Sequence, residues 1–341
     1  VTSFERRLAA MEGTECAVAT STGMSAILLV ALTALKAGDH IVASQSMFGS
    51  TMRLLGTEMA RFGIESTFVP QTDAQAWAAA IRPNTKLLFA ETPTNPLTDL
   101  CDIQALADIA HHHGALLVVD NSFATPVLQR PVEFGADIVV HSGTKFLDGQ
   151  GRIMIGAVCG TTALVDKVMG TFLRSGGLNA APYNAWTAMK GLETLALRVK
   201  AQSASALTLA TWLQDHPKVA RVYYPGLQSH PQHALAMAHD DIWCTVGVHP
   251  HEAKDHVALT ALAMVEDRLA DVLLRDGNVF GLLDMANIAL GHGTAHSLGD
   301  LRLVAAQEAL AVAHRLVLAG KPAVDDMQCH LLPLERLSVE R

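Results

Sequence analysis

An acid and an amine stand about one strand and one turn apart in this chain. Asp120 closes the apolar run Ala115-Leu116-Leu117-Val118-Val119, and Lys145 ends His141-Ser142-Gly143-Thr144-Lys145, which follows the apolar run Asp137-Ile138-Val139-Val140. A carboxylate at the end of a wholly apolar strand is costly unless it is paired or functional. In that position it can keep a pyridine nitrogen protonated. A lysine amine whose pKa is lowered by burial can form a Schiff base with an aldehyde. Together the two groups describe a site for pyridoxal phosphate, whose ring serves as an electron sink. The plainer readings are an Asx-turn or N-cap for Asp120, leading into Pro126, and an exposed lysine in a hydroxyl-rich turn for Lys145.

The neighbours such a cofactor needs are also present. Ser21-Thr22-Gly23-Met24-Ser25 lies between the short run Ala17–Ala19 and an apolar helix that begins near Ala26. The unpaired N–H groups and partial positive charge of a helix N-terminus suit a phosphate, and Gly23 lets the backbone come close. Taken alone this is an N-cap on a buried helix; beside Asp120 and Lys145 it reads as a phosphate site. The Ser142 and Thr144 hydroxyls flank the lysine and can complete the cradle. Phe48, in Ser46-Met47-Phe48-Gly49-Ser50-Thr51, either stacks on the ring or fills the core. Glu91-Thr92-Pro93-Thr94-Asn95-Pro96 is a rigid turn from which Asn95 can reach the ring hydroxyl.

The elements that must position these residues are short strands alternating with helical patterns. Candidate strands are Ala17–Ala19, His40–Ala43, Ser66–Val69, Lys86–Ala90, Ala115–Val119, Asp137–Val140 and Ile153–Cys159. Helices between the first six predict an α/β class, with a mostly parallel sheet covered on both faces. The last strand follows the Lys145 loop without a helix and is expected to run antiparallel. The chemistry-bearing segments then fall at carboxyl ends of strands, where open α/β sheets bind ligands. A long helix is expected over residues 182–215, with apolar positions at Trp186, Met189, Leu192, Leu195, Leu197 and Val199. Val219–Tyr224 reads as a strand ended by Pro225-Gly226. Near His239 the character changes, as if unlike segments had been joined by rearrangement, frame disruption or fusion. The expected division is a large α/β domain over 1–181, a linker helix with the start of a small domain over 182–238, and an atypical region over 239–341.

Composition excludes several classes. With 341 residues, half of them hydrophobic, the chain has ample length for a core, and a net charge of −8 argues against a nucleic-acid scaffold. The five cysteines have no paired spacing, which points to a reducing, cytoplasmic setting. The longest apolar run, Ala26–Leu35, is too short for a bilayer. No signal peptide is recognisable. Val1 opens directly into helix-like sequence, as in a fragment or trimmed product. The expected partner is a small molecule, with neither nucleic acid nor membrane.

From Val1 to about His233 the sequence resembles the Cys/Met-metabolism family of pyridoxal phosphate enzymes, the transsulfuration group of fold type I. Ser21–Met24, Glu91–Pro96, Asp120–Pro126 and Ser142–Lys145 match its motifs in order and spacing. Phe48, the run Leu147–Arg152, the stretch Pro182–Trp186 and Tyr223–Pro231 are similar to its sulfhydrylase branch, in which succinate leaves O-succinylhomoserine and sulfide takes its place. The resemblance implies that Lys145 carries the Schiff base and shuttles protons, that Asp120 pairs with the pyridinium, and that Thr22, Gly23, Met24, Ser142 and Thr144 hold phosphate. It implies Phe48 stacking, Asn95 at the ring hydroxyl, Arg336 for the substrate carboxylate, and a homodimeric or homotetrameric assembly. Cystathionine γ-synthase or γ-lyase chemistry is the alternative within the family. The family's N-terminal arm, with its Tyr and Arg, and its C-terminal His-Pro-Ala-Thr-Thr-type stretch are not recognisable, so a cofactor-binding remnant without turnover is a further alternative. Residues 241–253 resemble a fragment of TatD-type metal-dependent deoxyribonucleases, and His249 and His251 could bind a metal in a hydrolase, a remote alternative; two histidines do not make a site, so the stretch reads as a surface loop and no metal is expected.

Overall fold

Seven short strands, most of them apolar runs, form one sheet in a computed structural model that describes residues 1–238 apart from Pro96 and Lys218. The strands are β1 (Cys16–Thr20), β2 (His40–Ser44), β3 (Glu65–Val69), β4 (Thr85–Glu91), β5 (Leu116–Asp120), β6 (Ile138–Ser142) and β7 (Gly156–Gly160), in the spatial order β1-β7-β6-β5-β4-β2-β3. Pairing is parallel from β3 through β2, β4 and β5 to β6. β7 runs antiparallel to both β6 and β1, as the helix-free link after Lys145 requires.

The helices are α1 (Thr2–Glu12), α2 (Gly23–Ala34), α3 (Gly49–Arg53), α4 (Ala74–Ala79), α5 (Ile103–His112), α6 (Thr125–Leu128), α7 (Thr171–Gly176), α8 (Pro182–Gln214) and α9 (His233–Ala238). They cover both faces. On one, Ala26, Leu29 and Val30 of α2 pack with Leu87 and Phe89 of β4, Val118 of β5 and Val140 of β6. On the other, Leu88, Leu117 and Val119 pack with α5, while Val139 and Cys159 pack with α1 and α8. Successive strand side chains alternate between faces. Glu91, Asp120 and Ser142 lie two residues beyond Phe89, Val118 and Val140, so all three belong to the α2 face at the carboxyl edge of the sheet.

The long helix runs as expected, with Ala188, Leu192, Leu195 and Val199 buried, but Trp186 and Leu197 are exposed. Those two lie off the buried stripe. Residues 219–224 form no strand. Tyr224 instead buries its ring with Leu100, Ala206 and Ala210, so packing against α8 rather than a partner strand decides the path. No helix among the described residues is long and apolar enough to cross a membrane.

Candidate active site

The N-terminus of α2 is built by its own sequence. The Thr22 hydroxyl accepts the Ser25 N–H at 3.0 Å, and the Ser25 hydroxyl accepts the Thr22 N–H at 2.8 Å. This reciprocal cap fixes the first turn and leaves further amides of that turn available. Gly23 meets the end of β6 here: a Cβ on it would lie 2.7 Å from Ser142 Cβ and 2.9 Å from Ser142 Cα. Only glycine permits that approach. Gly156, at the start of β7, is equally constrained, since its Cβ would fall 2.0 Å from the Thr22 carbonyl oxygen. Met24 is half-buried beside Thr51, whose hydroxyl lies 3.9 Å from its Sδ.

Asp120 is bound to this corner through Ser122. Its Oδ1 accepts both the Ser122 N–H at 3.0 Å and the Ser122 hydroxyl at 2.5 Å. The Ser122 Oγ in turn accepts the Ser142 N–H at 2.6 Å. Acid and phosphate-cradle candidate are thus joined by one hydroxyl. Burial pushes the Asp120 carboxyl up, and the two Ser122 bonds and the His141 ring oppose the rise. Glu91 is its register partner across β4 and β5. Burial, then the Asp120 charge, pushes Glu91 up to about 8, against the backbone N–H groups of Phe48 and Asn95. Two carboxyls so placed cannot both ionise cheaply.

Lys145 sits in the turn after β6, where its N–H donates to the Ser142 carbonyl at 3.1 Å and its carbonyl accepts from the Gly149 N–H at 2.8 Å. Burial alone pushes its ammonium pKa down; no acid among the described residues opposes that shift. An amine without a counter-ion is more readily deprotonated and more nucleophilic. Thr144 also has its hydroxyl engaged within the protein. Its Oγ1 accepts the Ile155 N–H at 3.1 Å and lies 3.3 Å from the Ile155 carbonyl, which ties the lysine turn to the segment before β7. Phe48 is not a core aromatic: it is 37% exposed, and its N–H donates to Glu91 Oε2 at 2.9 Å. Asn95 lies in the turn after β4. Arg336, His249 and His251 lie outside the described residues.

The sequence reading missed a network behind the site. Glu12 and His141 are wholly buried, with Oε1 and Nε2 2.5 Å apart, and Asn121 Nδ2 donates to the same Glu12 oxygen at 2.8 Å. Gln129 Nε2 closes the set on Asn121 Oδ1 at 3.1 Å. Nothing local marks Glu12, because its partners lie more than a hundred residues away. Glu91 carried a readable signal, an acid ending the apolar run Leu87-Leu88-Phe89-Ala90, which is the same signature that marked Asp120.

The residues present fit pyridoxal phosphate. A glycine-lined helix N-terminus suits its phosphate, a half-buried amine its aldehyde and a carboxyl its ring nitrogen, all at the carboxyl edge of one mixed sheet. Fold and site define the class as a pyridoxal phosphate-dependent protein of fold type I. Residues 1–258 match the family model for Cys/Met metabolism PLP-dependent enzymes, and the chain belongs to that family. The O-succinylhomoserine sulfhydrylase of Pseudomonas aeruginosa is 55% identical over 236 residues, covering 69% of this chain and 58% of that one. The O-succinylhomoserine sulfhydrylase of Mycobacterium tuberculosis is 44% identical with the same coverage. The L-methionine gamma-lyase of Porphyromonas gingivalis is 43% identical over 237 residues, covering 69% of this chain and 59% of that one. The crystal structure of metB from Corynebacterium glutamicum superposes with a TM-score of 0.68 at 37% identity, covering 70% of this chain and 62% of that chain. The chain therefore spans somewhat more than half the length of these relatives. The family match extends across residues 241–253, and the likeness of that stretch to TatD-type deoxyribonucleases gains no support from it.

Proposed function

We propose that the protein catalyses γ-replacement on O-succinylhomoserine, exchanging succinate for sulfide to give homocysteine. The observation that supports this reading is the contact of Gly23 with Ser142 and the Ser122 hydroxyl that joins Ser142 to Asp120, with Lys145 in the turn that follows, in a chain 55% identical to a sulfhydrylase over the matched residues. Bound pyridoxal phosphate supplies an electron sink that stabilises negative charge at substrate carbons. The protein's residues do the rest. The first turn of α2, at Thr22, Gly23 and Met24, holds the phosphate with Ser142. Thr144 adds its hydroxyl to the phosphate cradle and also ties the lysine turn to the segment before β7. Asp120, kept in place by Ser122, holds the proton on the ring nitrogen. Lys145 Nζ would hold the cofactor through its aldehyde and would carry protons between the α-, β- and γ-carbons of the substrate. Phe48 would stack on the ring, and Asn95 would hold the ring hydroxyl. Arg336 is assigned to the substrate carboxylate from the family resemblance.

The protein is further proposed to act in the cytoplasm as a homodimer or homotetramer, with residues 1–181, 182–238 and 239–341 as its divisions. The 43% identity to a methionine gamma-lyase favours γ-elimination as the second reading. The test is to incubate the holoprotein with O-succinylhomoserine, with and without sulfide. Sulfide-dependent homocysteine equimolar with succinate is expected. A 2-oxo acid and ammonia formed without sulfide would select elimination, and cofactor binding without any turnover would identify a remnant.

A further inference from the structure

Glu91 places a second carboxyl at the ring site. It ends β4 as Asp120 ends β5, the two are register partners, and the residue is 3% exposed. A buried acid beside another acid is unfavourable by itself. What Glu91 contributes is a bond across 43 residues of chain, from its Oε2 to the Phe48 N–H at 2.9 Å. Phe48 is the N-cap residue of α3, and no side chain of that helix caps its first turn. Glu91 holds the residue that opens the helix, through that residue's own N–H. The backbone beneath is held as well, because Gln71 Nε2 donates to the Glu91 carbonyl at 2.6 Å and the Thr92 N–H to the Asp120 carbonyl at 3.4 Å.

We propose that Glu91 is a positioning residue, tying the Phe48 turn to the sheet edge so that the aromatic face and the Asp120 carboxyl meet the same ligand ring. The ligand half of this statement rests on the pyridoxal phosphate reading above; the anchoring half does not. Glu91→Gln keeps an oxygen acceptor for the Phe48 N–H, whereas Glu91→Ala removes it.

The two halves are tested separately. In cofactor-free protein, amide hydrogen exchange at Phe48 is expected to quicken about tenfold in Glu91→Ala and to stay within about threefold of the parent in Glu91→Gln. Amides of β5 should be unaffected in both. Pyridoxal phosphate affinity should weaken about tenfold in the alanine variant and be largely restored in the glutamine variant. Should the alanine variant not fold, Glu91→Leu fills similar volume and carries the same expectation. Phe48 exchange unchanged in the alanine or leucine variant, or equally fast in Glu91→Gln, would overturn the anchor. Affinity that ignores a loosened Phe48 turn would overturn the positioning role. A parent protein that forms no borohydride-sensitive visible band rejects the cofactor reading, and the exchange result still decides the anchor.

Discussion

Gly23 and Ser142 touch at a separation that no side chain on the glycine could survive: its Cβ would lie 2.7 Å from the serine Cβ and 2.9 Å from the serine Cα. The N-terminus of α2 and the end of β6 are therefore pressed together at the backbone. That contact sets the helix cap beside the end of β6, where the Ser142 N–H bonds the Ser122 hydroxyl that also holds Asp120.

Gly23→Ala should force α2 and β6 apart. Overpacking of this kind costs roughly 1–3 kcal/mol, readable as a lower urea midpoint at unchanged slope. Pyridoxal phosphate affinity should fall at least about tenfold, while pyridoxal without its phosphate loses much less. Equal losses for both ligands would place the phosphate elsewhere.

Lys145→Ala should abolish the borohydride-sensitive visible band and leave the cofactor dialysable but still bound. The pH dependence has a definite sign. The folded-state pKa is lowered, so between that value and the ordinary lysine value the unfolded chain holds more protons and stability rises with pH. Below the folded pKa the desolvated ammonium costs stability in full. The parent should therefore gain on the alanine variant as pH is raised in urea titrations of cofactor-free protein. A difference independent of pH would mean that the amine is solvated.

Ser122→Ala removes the hydroxyl between Asp120 Oδ1 and the Ser142 N–H, at 2.5 and 2.6 Å. Leaving that amide and carboxylate short of a partner costs about 1–3 kcal/mol. Asp120 also loses the bond that most opposes its protonation. Cofactor affinity should weaken, and more so toward acid pH. A uniform loss at every pH would mean that Ser122 acts on shape alone.

Much of this was legible from one sequence, for a physical reason. Fully buried parallel strands read as unbroken apolar runs, so an acid at the end of one, such as Asp120, stands out against its surroundings. The helix cap at Thr22 and Ser25 is local, and so is the helix-free link that makes β7 antiparallel. Long-range partners were not legible. Glu12 reads as one more polar residue of an amphipathic helix until the fold brings His141 and Asn121 to it. The turn at Glu91 looked like simple rigidity because Phe48 lies 43 residues earlier in the chain. Residues 219–224 show the converse error: their alternation suits a strand, but Tyr224 finds a better burial site against α8 than any partner strand offers.

The Glu12–His141 pair gives a stability prediction separate from the cofactor. Both side chains are fully buried, and Glu12 Oε1 also accepts from Asn121. Glu12→Ala strips the acceptor from two buried donors, at a cost of roughly 3–5 kcal/mol. Glu12→Gln should recover a good part of this, because its oxygen can still accept. If the glutamine variant is as unstable as alanine in urea titrations, charge rather than hydrogen bonding holds the network.

Glu91 and Asp120 make cofactor-free protein lose stability as pH rises. Glu91 has its folded-state pKa raised to about 8 from an ordinary value of 4.5. Across that window the folded state keeps a proton that the unfolded chain has released, so stability declines from about pH 4.5 and levels off above about pH 8. Asp120 is shifted in the same direction and steepens the acid end of the decline. Glu91→Gln should flatten the curve across the upper part of the window. Asp120→Asn should flatten it only in part, because it removes the repulsion and leaves the burial that dominates the Glu91 shift. Urea midpoints taken in steps from about pH 5 to about pH 8.5 would read this directly. Parallel curves for the parent and Glu91→Gln would show that the Glu91 carboxyl is already ionised throughout. Saturating pyridoxal phosphate should reduce the slope in the parent, since a protonated ring nitrogen beside Asp120 offsets the negative charge that Glu91 meets on ionising.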